Sequence, residues 1–301
     1  MTWHRPFGTT ARDGWDVVVE PDSSGWEHTG MYAGRLGDGD TRTLGAGHRE
    51  HVVVPLSGSV VVTVDGASGA HEAKLAGRSS VFSGATDVAY VPPGSSLTVT
   101  AVGEARVAVV FAVTESAEAR FPFRHVTPDE VPVELRGAGI ASREVRNFGI
   151  PGVLDADAII ACEVITPGGN WSSWPPHKHD EERPGEETAL EEIYYFEVAP
   201  SAGTPAAAAT DPIGYQRVYG TEHRPIDVLA EVRDGDVVLV PHGWHGPAIA
   251  APGYDMYYLN VMAGPGEQRA WLICDDPAHG WVRDTWTDQQ VDPRLPLGGA
   301  R

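Results

Sequence analysis

The chain has 301 residues, with 22 Lys and Arg against 42 Asp and Glu, and a formal net charge of −20. That balance argues against nucleic acid or an anionic membrane as a partner, and a hydrophobic fraction of 42% is enough for a packed core. No apolar run reaches the roughly 18 residues of a membrane span, and the segment Met1–Phe7 lacks the apolar stretch of a signal peptide. The expected setting is therefore cytoplasmic, with Cys162 and Cys274 as reduced thiols.

In chain order, short runs rich in Val, Ile, Tyr and Thr are punctuated by 35 Gly and 24 Pro, which reads as all-β. The first half carries strand-like runs at 51–56, 59–65, 88–91, 97–102 and 105–113. A charged stretch, 115–140, with three prolines, predicts the link between two units. Inside it, Thr127 is placed to cap a turn of helix at 128–131. The second half repeats the habit at 159–165, 192–196, 215–219, 237–240 and 256–262. The Ala-rich segment 199–212 reads as a surface loop. Length suggests about two domains, and the boundary is expected near 125, giving units 1–125 and 126–301.

The halves share a local pattern. Asp236 to His245 is a strand closed by a Pro-x-Gly-x-His corner, and Asp87 to Ser96 is a strand closed by a Pro-x-Gly-x-Ser corner. Ser96 stands where His245 stands, so an internal duplication is expected in which only the second copy has metal ligands.

Those ligands are the most informative residues of the chain. His177 and His179, at i and i+2, point to one face of a strand. Glu191 or Glu192 and the later His245 complete a donor set of three imidazoles and one carboxylate. This set suits a divalent transition metal, zinc or manganese foremost, and is too nitrogen-rich for calcium or magnesium. Adjacent strand residues face opposite ways, so one of the two glutamates enters the site. Periodicity leaves the choice open, because Ile193 and Tyr195 follow one and Tyr194 and Phe196 follow the other. Lys178 alternates away from its histidine neighbours, and His242 is read as a loop or rim residue.

The arrangement resembles a cupin barrel, doubled into a bicupin. Through segments 174–180, 190–196, 216–219, 234–241 and 253–264, and more loosely 77–82 and 90–94, the sequence is similar to the 5-deoxy-glucuronate isomerases of myo-inositol catabolism. These are related to the 4-deoxy-L-threo-5-hexosulose-uronate ketol-isomerases. The resemblance puts the metal carboxylate on Glu191, beside His177, His179 and His245. It implies an aldose–ketose isomerisation of 5-deoxy-D-glucuronate to 5-dehydro-2-deoxy-D-gluconate, by proton transfer through Glu192, a metal-bound hydroxide or Tyr258, or by a metal-directed hydride shift, between which the sequence does not choose. Arg217 is the expected partner of the substrate carboxylate, with Gln216 and Asn260 also lining the substrate pocket. The family corner usually runs His-Pro, whereas Gly246 follows His245 here. A sugar-acid-binding bicupin without catalysis and an Fe(II) dioxygenase are the competing readings. A homo-oligomer is expected, because long antiparallel edges pair readily between subunits.

Overall fold

A computed structural model describes residues 3–22, 25–66, 69–205 and 210–298. Part of the Ala-rich segment, 206–209, lies outside the described residues. Strands dominate and every paired strand is antiparallel, as the short β-branched runs predict.

One eight-stranded sheet contains Val17–Val19, Thr29–Leu36, Thr41–Leu44, Arg49–Gly66, Gly69–Arg78, Val88–Val91, Ser96–Val113 and Arg124–Val126. The strands from Val133 onward, joined by the N-terminal His4–Arg5, form a seven-stranded and a six-stranded sheet. The seven-stranded sheet includes Arg143–Gly149, Ile160–Thr166, Glu191–Pro200, Val237–Val240 and Tyr254–Ala263. The six-stranded sheet includes His177–Lys178, Gly214–Tyr219, Asp227–Val232, Trp244–Ala250 and Cys274–Asp275. This is the expected bicupin. One strand crosses over: His4–Arg5 pairs with Val237–Val238 in the second half's sheet. The turn at 128–131 is present as the 3-10 helix Pro128–Glu130, and Glu130 Oε2 accepts from the Thr127 N–H and hydroxyl, both at 2.8 Å.

Three large apolar clusters organise the packing. One fills the first half, around Val60, Val62, Leu75, Val99 and Phe111. Another fills the second half, around Val164, Tyr194, Phe196, Val218, Val238 and Tyr258. The most extensive lies between the halves, where Val52, Tyr90 and Val110 meet Ile193, Tyr195, Leu239, Tyr257 and Leu259. A strand at this junction is buried on both faces. Tyr194, Phe196 and Val198 look into the second barrel, and Ile193 and Tyr195 look toward the first.

Buried ionic contacts cross the same junction. Arg78 donates to both carboxylate oxygens of Glu163, which also accepts from the Tyr257 hydroxyl at 2.7 Å. Burial works against the Glu163 charge, but Arg78 outweighs it and holds this carboxyl below its usual range.

Candidate metal centre

The centre forms where three strands of the second barrel come together. His177 lies directly opposite His245 in the antiparallel register, and Val218 lies opposite His245 on its other side. His179 follows on the same face as His177. The ring centroids of His177 and His179 lie 4.4 and 4.6 Å from that of His245, and the three potential ligand nitrogens all fall within 4.8 Å of one another.

Each imidazole is oriented from behind by a backbone carbonyl. His177 Nδ1 faces Pro175 O at 3.4 Å, His179 Nδ1 faces Leu190 O at 3.2 Å and His245 Nδ1 faces Gly243 O at 3.1 Å. Donation through Nδ1 leaves the Nε2 lone pairs free to converge, the arrangement of a ligating histidine. Backbone geometry supports the corner. Gly246 has φ +108°, and a Cβ there would stand 1.8 Å from Ser173 O, so glycine is required immediately after His245.

The carboxylate in this group is Glu192. Its Oε2 lies 3.2 Å from His179 Nε2 and 3.1 Å from His245 Nε2. Glu191 points the other way, across the junction. It accepts from the backbone N–H groups of Glu27, His28 and Thr29 at 2.9, 2.7 and 2.6 Å, and from the Thr29 hydroxyl at 2.9 Å. The expectation that Glu191 joins the histidines is therefore corrected: strand alternation sends Glu192 inward with Tyr194 and Phe196.

The donor set fits a transition metal on two observations. His245 Nε2 is buried and not aligned for a hydrogen bond despite its closeness to Glu192, which leaves a lone pair without a proton partner. His177 is held well below its ordinary pKa, first by burial and then by His245 and His179, so it presents a neutral, ligating imidazole. Burial raises the Glu192 carboxyl, but His179 and His245 overcome that and bring it to about 2.

The other expected site residues divide. Gln216 is fully buried beside the strand of His245, and neither of its amide atoms has a hydrogen-bond partner. Asn260 is buried opposite Tyr194, with Nδ2 3.4 Å from Ile193 O. Tyr258 shares that strand, and its hydroxyl lies 3.2 Å from Ser173 Oγ, which is 3.3 Å from the Tyr194 hydroxyl. Burial raises the Tyr258 pKa, so the phenol keeps its proton. Arg217 does not line the barrel. In the strand Gly214–Tyr219, Gln216 turns inward and Arg217 outward, where it pairs with exposed Asp227 and donates to Val218 O and Val228 O. Lys178 also leaves the site, to Asp180 and Glu187 at 2.7 and 2.8 Å. His242 stands outside the histidine group.

Sequence reasoning missed the residues that enclose the centre. A cavity of about 340 Å³ reaches His177 and is lined by Arg136, Arg143, Trp271, Ile273, Asp275 and Arg283. It was not visible in the sequence because its arginines come from separate segments, two on neighbouring strands and one on the 3-10 helix Gly280–Asp288. Ser173 was also missed. Its φ of +48° is unusual for a residue other than glycine and marks a backbone held at the site.

Residues 3–282 match the KduI/IolB family. The chain belongs to that family. Similar proteins named 5-deoxy-glucuronate isomerase include one from Geobacillus kaustophilus, 38% identical over 93% of this chain and 95% of its own length. Another, from Bacillus subtilis strain 168, is 36% identical over 82% of this chain and 84% of its own. An IolB-like protein from Salmonella typhimurium, known from its crystal structure, shares the fold with a TM-score of 0.79 and 33% identity, covering 94% of this KduI/IolB chain and 99% of its own. Oxalate decarboxylase from Lactobacillus farciminis, at TM-score 0.57 and 12% identity over 82% and 79% of the two chains, shares the fold alone. No helix of the described residues in this KduI/IolB protein is long and apolar enough to cross a membrane.

Proposed function

We propose that this chain is a metal-dependent 5-deoxy-glucuronate isomerase of myo-inositol catabolism, converting 5-deoxy-D-glucuronate to 5-dehydro-2-deoxy-D-gluconate. The observation that carries the reading is the convergence of three backbone-anchored histidines, with His179 and His245 against the Glu192 carboxylate, in a chain whose relatives bear that enzyme's name. His177, His179, His245 and Glu192 would hold one divalent ion, zinc or manganese. When bound, the ion supplies the Lewis acidity that makes a C–H beside a carbonyl acidic.

The chain's own groups move the protons. Glu192 Oε2 faces the histidines, and no hydrogen bond engages Oε1 among the described residues. Glu192 Oε1 accepts the C2 proton and returns it to C1, so one C–H bond breaks and another forms. Tyr258 keeps its proton and lies in a hydroxyl chain with Ser173 and Tyr194. It passes a proton to O1 as O2 gives one up, completing the aldose-to-ketose balance. The unpartnered amide of Gln216 and the amide of Asn260 bind the remaining hydroxyls, because buried amides without partners are costly unless a ligand engages them.

The test is proton NMR of 5-deoxy-D-glucuronate with the purified protein, before and after metal removal and reloading. The aldehyde and hydrate C1 signals are expected to give way to those of a ketose hydroxymethyl group. The conversion stops after chelation and returns with zinc or manganese. Unchanged substrate with the metal-loaded protein contradicts the reading.

A further inference from the structure

Three arginines line the cavity that reaches His177, and two of them are neutralised. Arg136 forms a two-pronged pair with Glu134, at 2.9 and 2.7 Å. Arg283 pairs through Nε and Nη2 with both carboxylate oxygens of Asp275. Arg143 differs. It is 5% exposed, and its guanidinium makes one hydrogen bond, from Nη1 to Ala141 O at 3.1 Å. No carboxylate pairs with it among the described residues. A guanidinium offers five N–H donors, so most of the hydrogen-bonding capacity of Arg143 is unused by the described residues.

The surroundings make this arrangement costly. Arg143 lies directly opposite Arg136 across an antiparallel pair, and like charges so placed destabilise a sheet. A buried charge without a counter-charge is strongly destabilising. The backbone is nevertheless shaped around it: Gly137 has φ +79°, and a Cβ there would come within 2.7 Å of Arg143 Nη1. Trp286 packs between two of the cations, with its ring centroid 5.6 Å from Arg143 Cζ and 5.2 Å from Arg283 Cζ. Burial, followed by the charges of Arg136 and Arg283, lowers the Arg143 pKa to about 10, with Tyr258 acting in the opposite sense. The guanidinium remains charged near neutrality, within electrostatic reach of Tyr258.

We infer that Arg143 is the residue that binds the carboxylate of the sugar-acid substrate, as a planar fork matched to one monoanion, and so sets the preference for a uronic acid over a neutral aldose. This rests on the isomerase reading of the neighbouring centre. The charge count supports a single carboxylate over a phosphate dianion, because the Glu134 and Asp275 pairs leave one net positive charge in the cavity. It also assigns to Arg143 the duty expected of Arg217, whose guanidinium is occupied outside the barrel.

The test compares wild type, R143K and R143M on 5-deoxy-D-glucuronate and on the same sugar with a primary alcohol in place of the carboxylate. Both variants are first checked for wild-type metal content and circular dichroism. For the acid, KM is expected to rise about tenfold or more in R143M, with kcat within about threefold, because a lost charge-assisted fork acts mainly in binding. R143K retains the charge without the fork and is expected to fall between. The preference of wild type for the acid over the alcohol should collapse in R143M. If that preference stays within about twofold of wild type in folded R143M, the inference is overturned and the isomerase reading stands. If wild type fails to turn over the acid, the isomerase reading falls, and titration with D-glucuronate and D-glucose decides the inference alone. Arg143 is supported if wild type binds only the acid and R143M loses that binding, and overturned if R143M binds the acid as wild type does.

Discussion

Glu50 and Glu191 occupy matching positions in the two halves, and each reaches across to hold the backbone of the other. Glu191 accepts from the N–H groups of residues 27, 28 and 29, and Glu50 from those of 157, 158 and 159 at 2.8, 2.6 and 2.6 Å. A hydroxyl completes each set, from Thr29 and from Tyr90. The next residue in each half turns into its own barrel. Glu192 lies opposite Val240 in the register, and His51 lies opposite Val91, each of these valines followed by proline. Glu192 meets histidines, whereas His51 is buried beside Phe111, its Nδ1 is unpartnered and burial pushes its pKa to about 3.

Removing either cross-junction carboxylate orphans three N–H groups. E50A and E191A are each expected to lose about 3 kcal/mol of stability, read as a lower urea midpoint with metal content unchanged.

The all-β pattern, the duplication and the histidine group were legible because β-branched runs, Pro-x-Gly corners and a His-x-His pair are local signals. The glutamate was not. Polarity identifies an inward residue only when the opposite face meets water, and Glu191–Pro200 has an apolar cluster on each side. Arg217 was not marked either, because the residue opposite it is Leu229, an apolar side chain that the structure leaves exposed. Arg143 carried no local signal, because its significance comes from Arg136, Arg283 and the cavity they share.

Arg217 serves an exposed ion pair, and such pairs contribute about 0–1 kcal/mol. R217A is expected to keep kcat/KM for 5-deoxy-D-glucuronate within about twofold. A tenfold rise in KM would return the residue to the substrate.

Tyr258 and Ser173 form one hydroxyl chain. Y258F is expected to lower kcat about a hundredfold while retaining the bound metal. S173A is expected to act in the same direction but less strongly, because Tyr258 keeps its phenol. Steady-state kinetics with parallel metal analysis checks both.

The junction is sensitive to acid through Glu163. Its folded-state pKa is depressed by Arg78, so its stabilisation is present above the unfolded value of about 4.3 and is lost as pH falls through the folded value. Melting temperature is expected to fall below pH 4.5 more steeply in wild type than in E163Q. At pH 7, E163Q is expected to lose about 3–5 kcal/mol, because it leaves Arg78 buried without its counter-charge. Parallel pH profiles would contradict this assignment.

The most direct test of the centre is metal per chain in E191Q and E192Q, purified and loaded side by side and measured by elemental analysis. The geometry predicts about one divalent ion per chain in E191Q, as in wild type, and a much reduced content in E192Q. Full loading of E192Q with loss from folded E191Q would contradict it.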